Sequence, residues 1–147
     1  MLIHSRNIYV YETDLMGIVH HSNYLRFCEE ARIQWCLKYG AMSQHNVVSE
    51  GRMGGRFENQ SVFALTVLET RVQHKKALKY PEQISVNMKA YIDGIKIVFN
   101  YEIVNGLGEV CAFIETTHCS VNEKLKPVRL TQELRKAVEQ SSMDRHT

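Results

Sequence analysis

Proline occurs only twice and glycine eight times in this chain, too few for a collagen-like, low-complexity or disordered sequence. No apolar stretch approaches the roughly 18–20 residues that span a bilayer. The segment Met1 to Asp14 alternates apolar and polar residues and lacks the apolar core of a signal peptide. Neither sign of charge dominates. Eighteen Lys and Arg stand against sixteen Asp and Glu, a net +2, without the basic excess of a general nucleic-acid binder. These absences describe a cytoplasmic protein with no transmembrane segment and no nucleic-acid partner. The four cysteines, at 28, 36, 111 and 119, form no C-x-x-C and no second pair at zinc-site spacing. They read as reduced core thiols. There is no G-x-S-x-G elbow, no phosphate-binding G-x-x-x-x-G-K-[ST], no G-x-G-x-x-G and no H-E-x-x-H.

What is present fits one ordinary domain of 147 residues, 44% hydrophobic and 23% charged. A chain of this length buries about two-thirds of its unfolded surface. Ile3 to Glu12 alternates well enough for a strand, and a polar turn with Gly17 follows. From Ser22 to Tyr39 the period changes. Arg26, Glu30, Gln34 and Lys38 draw one polar stripe along an otherwise largely apolar helix, which predicts protein on most of its sides. Ser22 or Asn23 suits the N-cap and Gly40 the position after the last turn. Glu29 and Arg32, off the stripe, read as a structural couple or, alternatively, as a helix-borne catalytic carboxylate with its neighbour. The glycines at 51, 54 and 55 suggest a mobile loop around Met53. Four strand-like runs come next: Val62 to Gln73, Gln83 to Ile92, Ile95 to Val104 and Val110 to Val121. Asp93-Gly94 and Asn105-Gly106-Leu107-Gly108 suit hairpins between them. A short helix, Gln132 to Gln140, closes the domain at 1–140, leaving a frayed tail at 141–147. Strand, long helix, four strands and short helix make an α+β arrangement.

The densest chemistry lies between Thr13 and Tyr24. Asp14 ends a strand, Gly17 lets the chain double back, and His20, His21, Ser22 and Asn23 open the helix. A helix N-terminus presents free N–H groups and partial positive charge to an oxyanion. Spacing alone leaves three readings open. Asp14 faces an oxyanion hole, or it merely caps a turn beside surface histidines, or Asp14, His20 and His21 hold a metal. Lys75, Lys76 and Lys79 with Tyr80 form either a solvated edge or a rim for phosphates, with Arg129 and Lys136 as weaker candidates.

The run Glu12-Thr13-Asp14-x-x-Gly17-Ile18-Val19-x-His21-x-Asn23-Tyr24-Leu25-x-Phe27-x-Glu29-x-Ala31-Arg32 closely resembles the signature of hot-dog-fold acyl-CoA thioesterases. The type is that of 4-hydroxybenzoyl-CoA thioesterase and the Tol–Pal-associated acyl-CoA thioesterases. The segment Val72 to Val86 resembles a second, weaker family block. The resemblance implies a hot-dog fold, a long central helix wrapped by a five-stranded antiparallel sheet with a short C-terminal helix. It implies hydrolysis of acyl-CoA to free acid and CoA, with Asp14 as nucleophile or general base and His21 as the loop histidine. The backbone amide that polarises the carbonyl falls near His21, with Asn23 and Tyr24 helping to position the substrate. Lys75, Lys76 and Lys79 become candidates for the CoA phosphates. No cofactor or metal is implied, CoA being part of the substrate. A homodimer or homotetramer with active sites at the subunit boundary is implied too. The rival readings are an acyl-carrier-protein thioesterase, with the carrier protein as partner, and a non-catalytic acyl-CoA-binding or scaffold protein. Val10, His20, His74 and Ala77 depart from the family pattern and bear on acyl-group specificity.

Overall fold

The computed structural model describes residues 1–41 and 65–144. The glycine-rich stretch with Met53, and the first residues of the run expected from Val62, lie outside the described residues. Alternation of side chains builds an antiparallel sheet of β1 (Leu2–Asn7), β2 (Leu65–His74), β3 (Gln83–Asp93), β4 (Lys96–Val104), β5 (Val110–Val121) and a short β6 (Pro127–Val128). Its order is β1-β3-β4-β5-β2, with β6 paired to β5. The sheet therefore has six strands where the sequence suggested five. The sixth is two residues long, includes a proline and offers no alternation to detect.

Register places the apolar sets on one face. Met88 stands beside Tyr101, and Tyr101 beside Ile114; all three are buried. Against this face lies α1 (Ser22–Lys38), which buries Tyr24, Phe27, Cys28, Ala31, Trp35 and Cys36. Trp35 and Phe99 meet edge to face with ring centroids 5.2 Å apart, a favoured aromatic geometry. Gly40, with φ of +79°, turns the chain after the last helical turn, a conformation that strains any residue with a Cβ. All four cysteines are free thiols and buried. Burial pushes Cys28 and Cys36 up to about 12, so both stay protonated.

Two element ends differ clearly from the sequence reading. β1 ends at Asn7, and Val10–Glu12 form a 3-10 turn instead of continuing the strand. The cause is Glu12, whose carboxylate accepts the Tyr9 amide at 2.9 Å and bends the chain back. The second helix, α2 (Gln132–Met143), runs three residues past Gln140. Ser141, expected in a frayed tail, is buried with Oγ donating to the Val138 carbonyl. Its N-cap is Thr131, whose hydroxyl accepts from the Leu134 amide. On α1, Leu25 and Glu29 are exposed off the polar stripe, beside Arg26, Gln34 and Lys38 on it. Glu29 and Arg32 do not pair. The Arg32 guanidinium instead donates to the Tyr101 hydroxyl at 2.9 Å.

Candidate active site

The loop from Thr13 to His21 is fixed at both ends. Thr13 and Val19 form an isolated antiparallel bridge, and the Asp14 amide donates to the Ile18 carbonyl at 2.8 Å. Gly17 makes the turn with φ of +80°, open to glycine without strain. The loop is tied to the segment after β2 by the bridge between Ile18 and Lys79. The Val19 amide also donates to Leu78, and the Tyr80 amide to Gly17. Glu12 holds the whole from below. Its backbone carbonyl accepts both the His20 amide at 2.9 Å and the Asn23 side-chain amide at 2.8 Å.

Asp14 is exposed at the top of this loop. Its Oδ1 accepts the Met16 amide at 2.7 Å, while Oδ2 has no partner among the described residues. One oxygen thus orients the carboxylate and the other is open to a reactant or water. The turn-capping role allowed by spacing is real and leaves half of the carboxylate unused.

The amides at the start of α1 are almost all spent. Ser22 N–H donates to the His20 ring at 3.2 Å, Asn23 N–H to the His20 carbonyl at 2.9 Å, and Tyr24 N–H to the His21 carbonyl at 3.2 Å. His20 N–H is taken by Glu12. The amide of His21 is left with no acceptor among the described residues. His21, and neither Ser22 nor Asn23, occupies the N-cap position, in helical conformation and without a side-chain cap. A free N–H there, at the positive end of the helix dipole, is suited to an oxygen that gains negative charge.

The other singled-out residues are sorted by the same bonds. Asn23 spends its side chain on the Glu12 carbonyl, so it builds the loop. Tyr24 is buried, meeting His74 edge to face at 4.7 Å. Burial raises its phenol above the usual value. The His20 and His21 rings stack at 4.4 Å, and His20 Nδ1 lies 2.8 Å from the Ser22 hydroxyl. Among the described residues no three of His, Cys, Asp and Glu stand together as a metal site. Lys76 is ion-paired with Glu109. Lys75 and Lys79 are exposed, and Lys79 belongs to the strand-like bridge beside the Asp14 loop. Sequence reasoning missed Arg6 altogether. Its guanidinium holds Glu12 from β1, and a lone Arg in an alternating strand carries no signal of that.

Residues 9–138 match the family described as the thioesterase-like superfamily. A Bacillus subtilis (strain 168) protein provisionally named acyl-CoA thioesterase YneP is 31% identical over 121 residues, covering 80% of this chain and 78% of that one. The crystal structure of a DHNA-CoA thioesterase from Staphylococcus aureus superposes with a TM-score of 0.76 at 25% identity, over 95% of this chain and 89% of that one. A second Staphylococcus aureus protein, solved in complex with CoA, has the same fold. It superposes with a TM-score of 0.80 at 13% identity, over 100% and 87% of the two chains. No described helix is long and apolar enough to cross a membrane.

Proposed function

The chain belongs to the thioesterase-like superfamily and is a thioester hydrolase, and we propose that it cleaves acyl-CoA thioesters to free acid and CoA using Asp14 and the His21 amide. The observation that carries this reading is a pair of unused groups on one short loop: Asp14 Oδ2 and the N–H of His21. A thioester needs little more. Its thiolate leaving group has a parent pKa of roughly 8.5. In the proposed reaction Asp14 either takes a proton from the attacking water, or attacks the carbonyl itself to give an acyl–aspartyl anhydride that water then hydrolyses to the free acid. The carbonyl oxygen, gaining charge, accepts from the His21 N–H, and CoA leaves as thiolate. The scheme calls for no metal and no cofactor, since CoA is part of the substrate. The His21 imidazole is exposed beside the same point and orients water or substrate.

For the CoA phosphates the proposal keeps Lys79, bridged to Ile18 of the loop, and Lys75, both exposed. Lys76 takes the lesser part because its charge is already met by Glu109. A structural neighbour of the same fold was solved in complex with CoA, in keeping with a CoA-type substrate. We assign the working unit to a homodimer formed along β2. This strand ends the sheet, and it exposes Val67, Leu68 and Val72.

The test is thiol release from short, long, branched and aromatic acyl-CoAs, with acyl carrier protein thioesters alongside. On the best substrate, Asp14→Asn keeps the shape of the side chain and removes its basicity. The expected loss in kcat is about 10²–10⁴-fold with KM little changed. Near-normal turnover by that variant refutes the Asp14 mechanism and transfers attention to the exposed Glu29. Turnover of carrier-protein thioesters alone refutes the CoA assignment, and no turnover of any thioester refutes hydrolysis.

A further inference from the structure

One guanidinium joins β1, the 3-10 turn and α1. Arg6 Nη2 lies 2.6 Å from both carboxylate oxygens of Glu12, and Nη1 donates to Glu30 at 2.8 Å. The guanidinium also lies over the Phe27 ring at 4.4 Å, one turn into the helix. The Arg6 and Glu12 side chains are 10% and 8% exposed. Glu12 is thus gripped on two sides. Its carboxylate is held by Arg6 and the Tyr9 amide, and its carbonyl by the His20 amide and the Asn23 side chain. Asp14 follows two residues after Glu12, and the His21 amide follows directly on His20. Both reacting groups of the loop therefore hang from one residue.

We propose that the buried Arg6–Glu12 pair is a positioning device for catalysis, fixing where the Asp14 carboxylate stands relative to the His21 amide. This rests on the role given to Asp14 above. A buried ion pair is a weak device for stability, because desolvating two charges offsets most of their attraction. It is a strong one for orientation. The rigid guanidinium plane donates through Nη2 to both Glu12 oxygens and through Nη1 to Glu30, so Glu12 is held against an anchor that is itself fixed, and a displacement of about 1 Å between reacting groups can cost on the order of 100-fold in rate. Glu30, linked in turn to His4 at 3.0 Å, gives the guanidinium a second anchor on α1.

The experiment compares four full-length proteins: the natural chain, Arg6→Gln/Glu12→Gln, Asp14→Asn, and all three substitutions together. The paired glutamines keep polar, hydrogen-bonding side chains without stranding a buried charge; Gln is isosteric with Glu and shorter than Arg. The expected result is a kcat lower by about 10- to 100-fold with KM within about twofold. In the Asp14→Asn background the same pair should cost less than about threefold, because it acts through Asp14. Equal fold-losses in both backgrounds show a general structural role and overturn the proposal, as does an unchanged kcat. Should the paired variant not fold, Arg6→Lys keeps the charge and loses the fork. The same kcat loss and the same non-additivity are expected of it, and full activity overturns the proposal. Full turnover by Asp14→Asn alone is a separate result that removes the Asp14 reading itself.

Discussion

His118 offers a prediction whose size can be worked from the fold. It lies on β5, facing the core, 1% exposed. Its Nε2 is 2.8 Å from the Thr116 hydroxyl, which bonds the Tyr101 hydroxyl at 2.7 Å, which in turn accepts from Arg32. Phe99 packs edge to face on the imidazole, and Nδ1 is buried with no partner among the described residues. Burial first, and the nearby positive charge of Arg32 second, lower its pKa from 6.5 to about 3. Below pH 6.5 the unfolded chain binds a proton there that the folded chain refuses until about pH 3. The unfolded state then holds more protons, so stability falls as the pH is lowered across that window and is intact above it. Each unit is worth about 1.4 kcal/mol. Acidification from pH 7 to 4.5 should therefore remove about 3 kcal/mol through this residue alone. His118→Gln retains a partner for Thr116 and cannot charge. Urea unfolding of both proteins at pH 7 and 4.5, at one protein concentration, gives the difference between their acid losses. A natural chain that loses no more than the glutamine variant refutes the argument. So would an NMR titration of the imidazole with a midpoint near 6.5.

Three other outcomes are expected. Lys75→Ala/Lys79→Ala should raise KM for acyl-CoA severalfold at low salt with kcat nearly constant. The effect should shrink as salt rises, because these exposed charges are screened; Lys76→Ala, measured in parallel, should do less. Leu68→Lys/Val72→Glu on β2 should convert the assembly to a particle near the 17.0 kDa of one chain in light scattering, and an unaltered mass would place the interface elsewhere. Trp35→Ala should cost about 3–5 kcal/mol in urea unfolding, since the ring is wholly buried against Phe99. A loss under 1 kcal/mol would mean that the helix and sheet repack.

The parts of this fold that repeat were legible, and the parts held by single contacts were not. β3, β4 and β5 announce themselves because Ile84 through Ala90, Ile97 through Ile103, and Ala112 through Ile114 place apolar groups two residues apart. The expected hairpin turns fall between them. α1 was found by its four-residue polar period, and Gly40 marked its end. The same periodicity misjudged Leu25 and Glu29, because a helix resting on one face of a sheet leaves a wider strip exposed than four polar positions suggest. The strand expected through Glu12 failed for a reason that alternation cannot carry. Val10 and Glu12 keep the pattern, yet the Glu12 carboxylate reaches back to the Tyr9 amide and out to Arg6, and those two bonds outweigh the pairing a longer β1 would gain.

The site divides along the same line. Asp14, Gly17 and His21 stand out in sequence because a carboxylate, a turn and a helix start fall within eight residues. Their working geometry depends on which hydrogen bonds are already taken. Ser22, Asn23 and Tyr24 have amides that look equally available from the sequence, and all three are occupied within the turn. The donor left over belongs to His21, the residue whose imidazole draws attention for a different reason. Replacing that side chain should therefore cost less than replacing Asp14: His21→Ala keeps the N–H and should retain kcat within about tenfold, against the 10²–10⁴-fold loss expected of Asp14→Asn. His21→Pro removes the N–H while suiting the start of a helix, and should approach the Asp14→Asn loss. Thermal melts that match across the two His21 variants make the comparison one of chemistry. If His21→Ala proves as damaging as His21→Pro, the imidazole and not the amide is the group that the reaction uses.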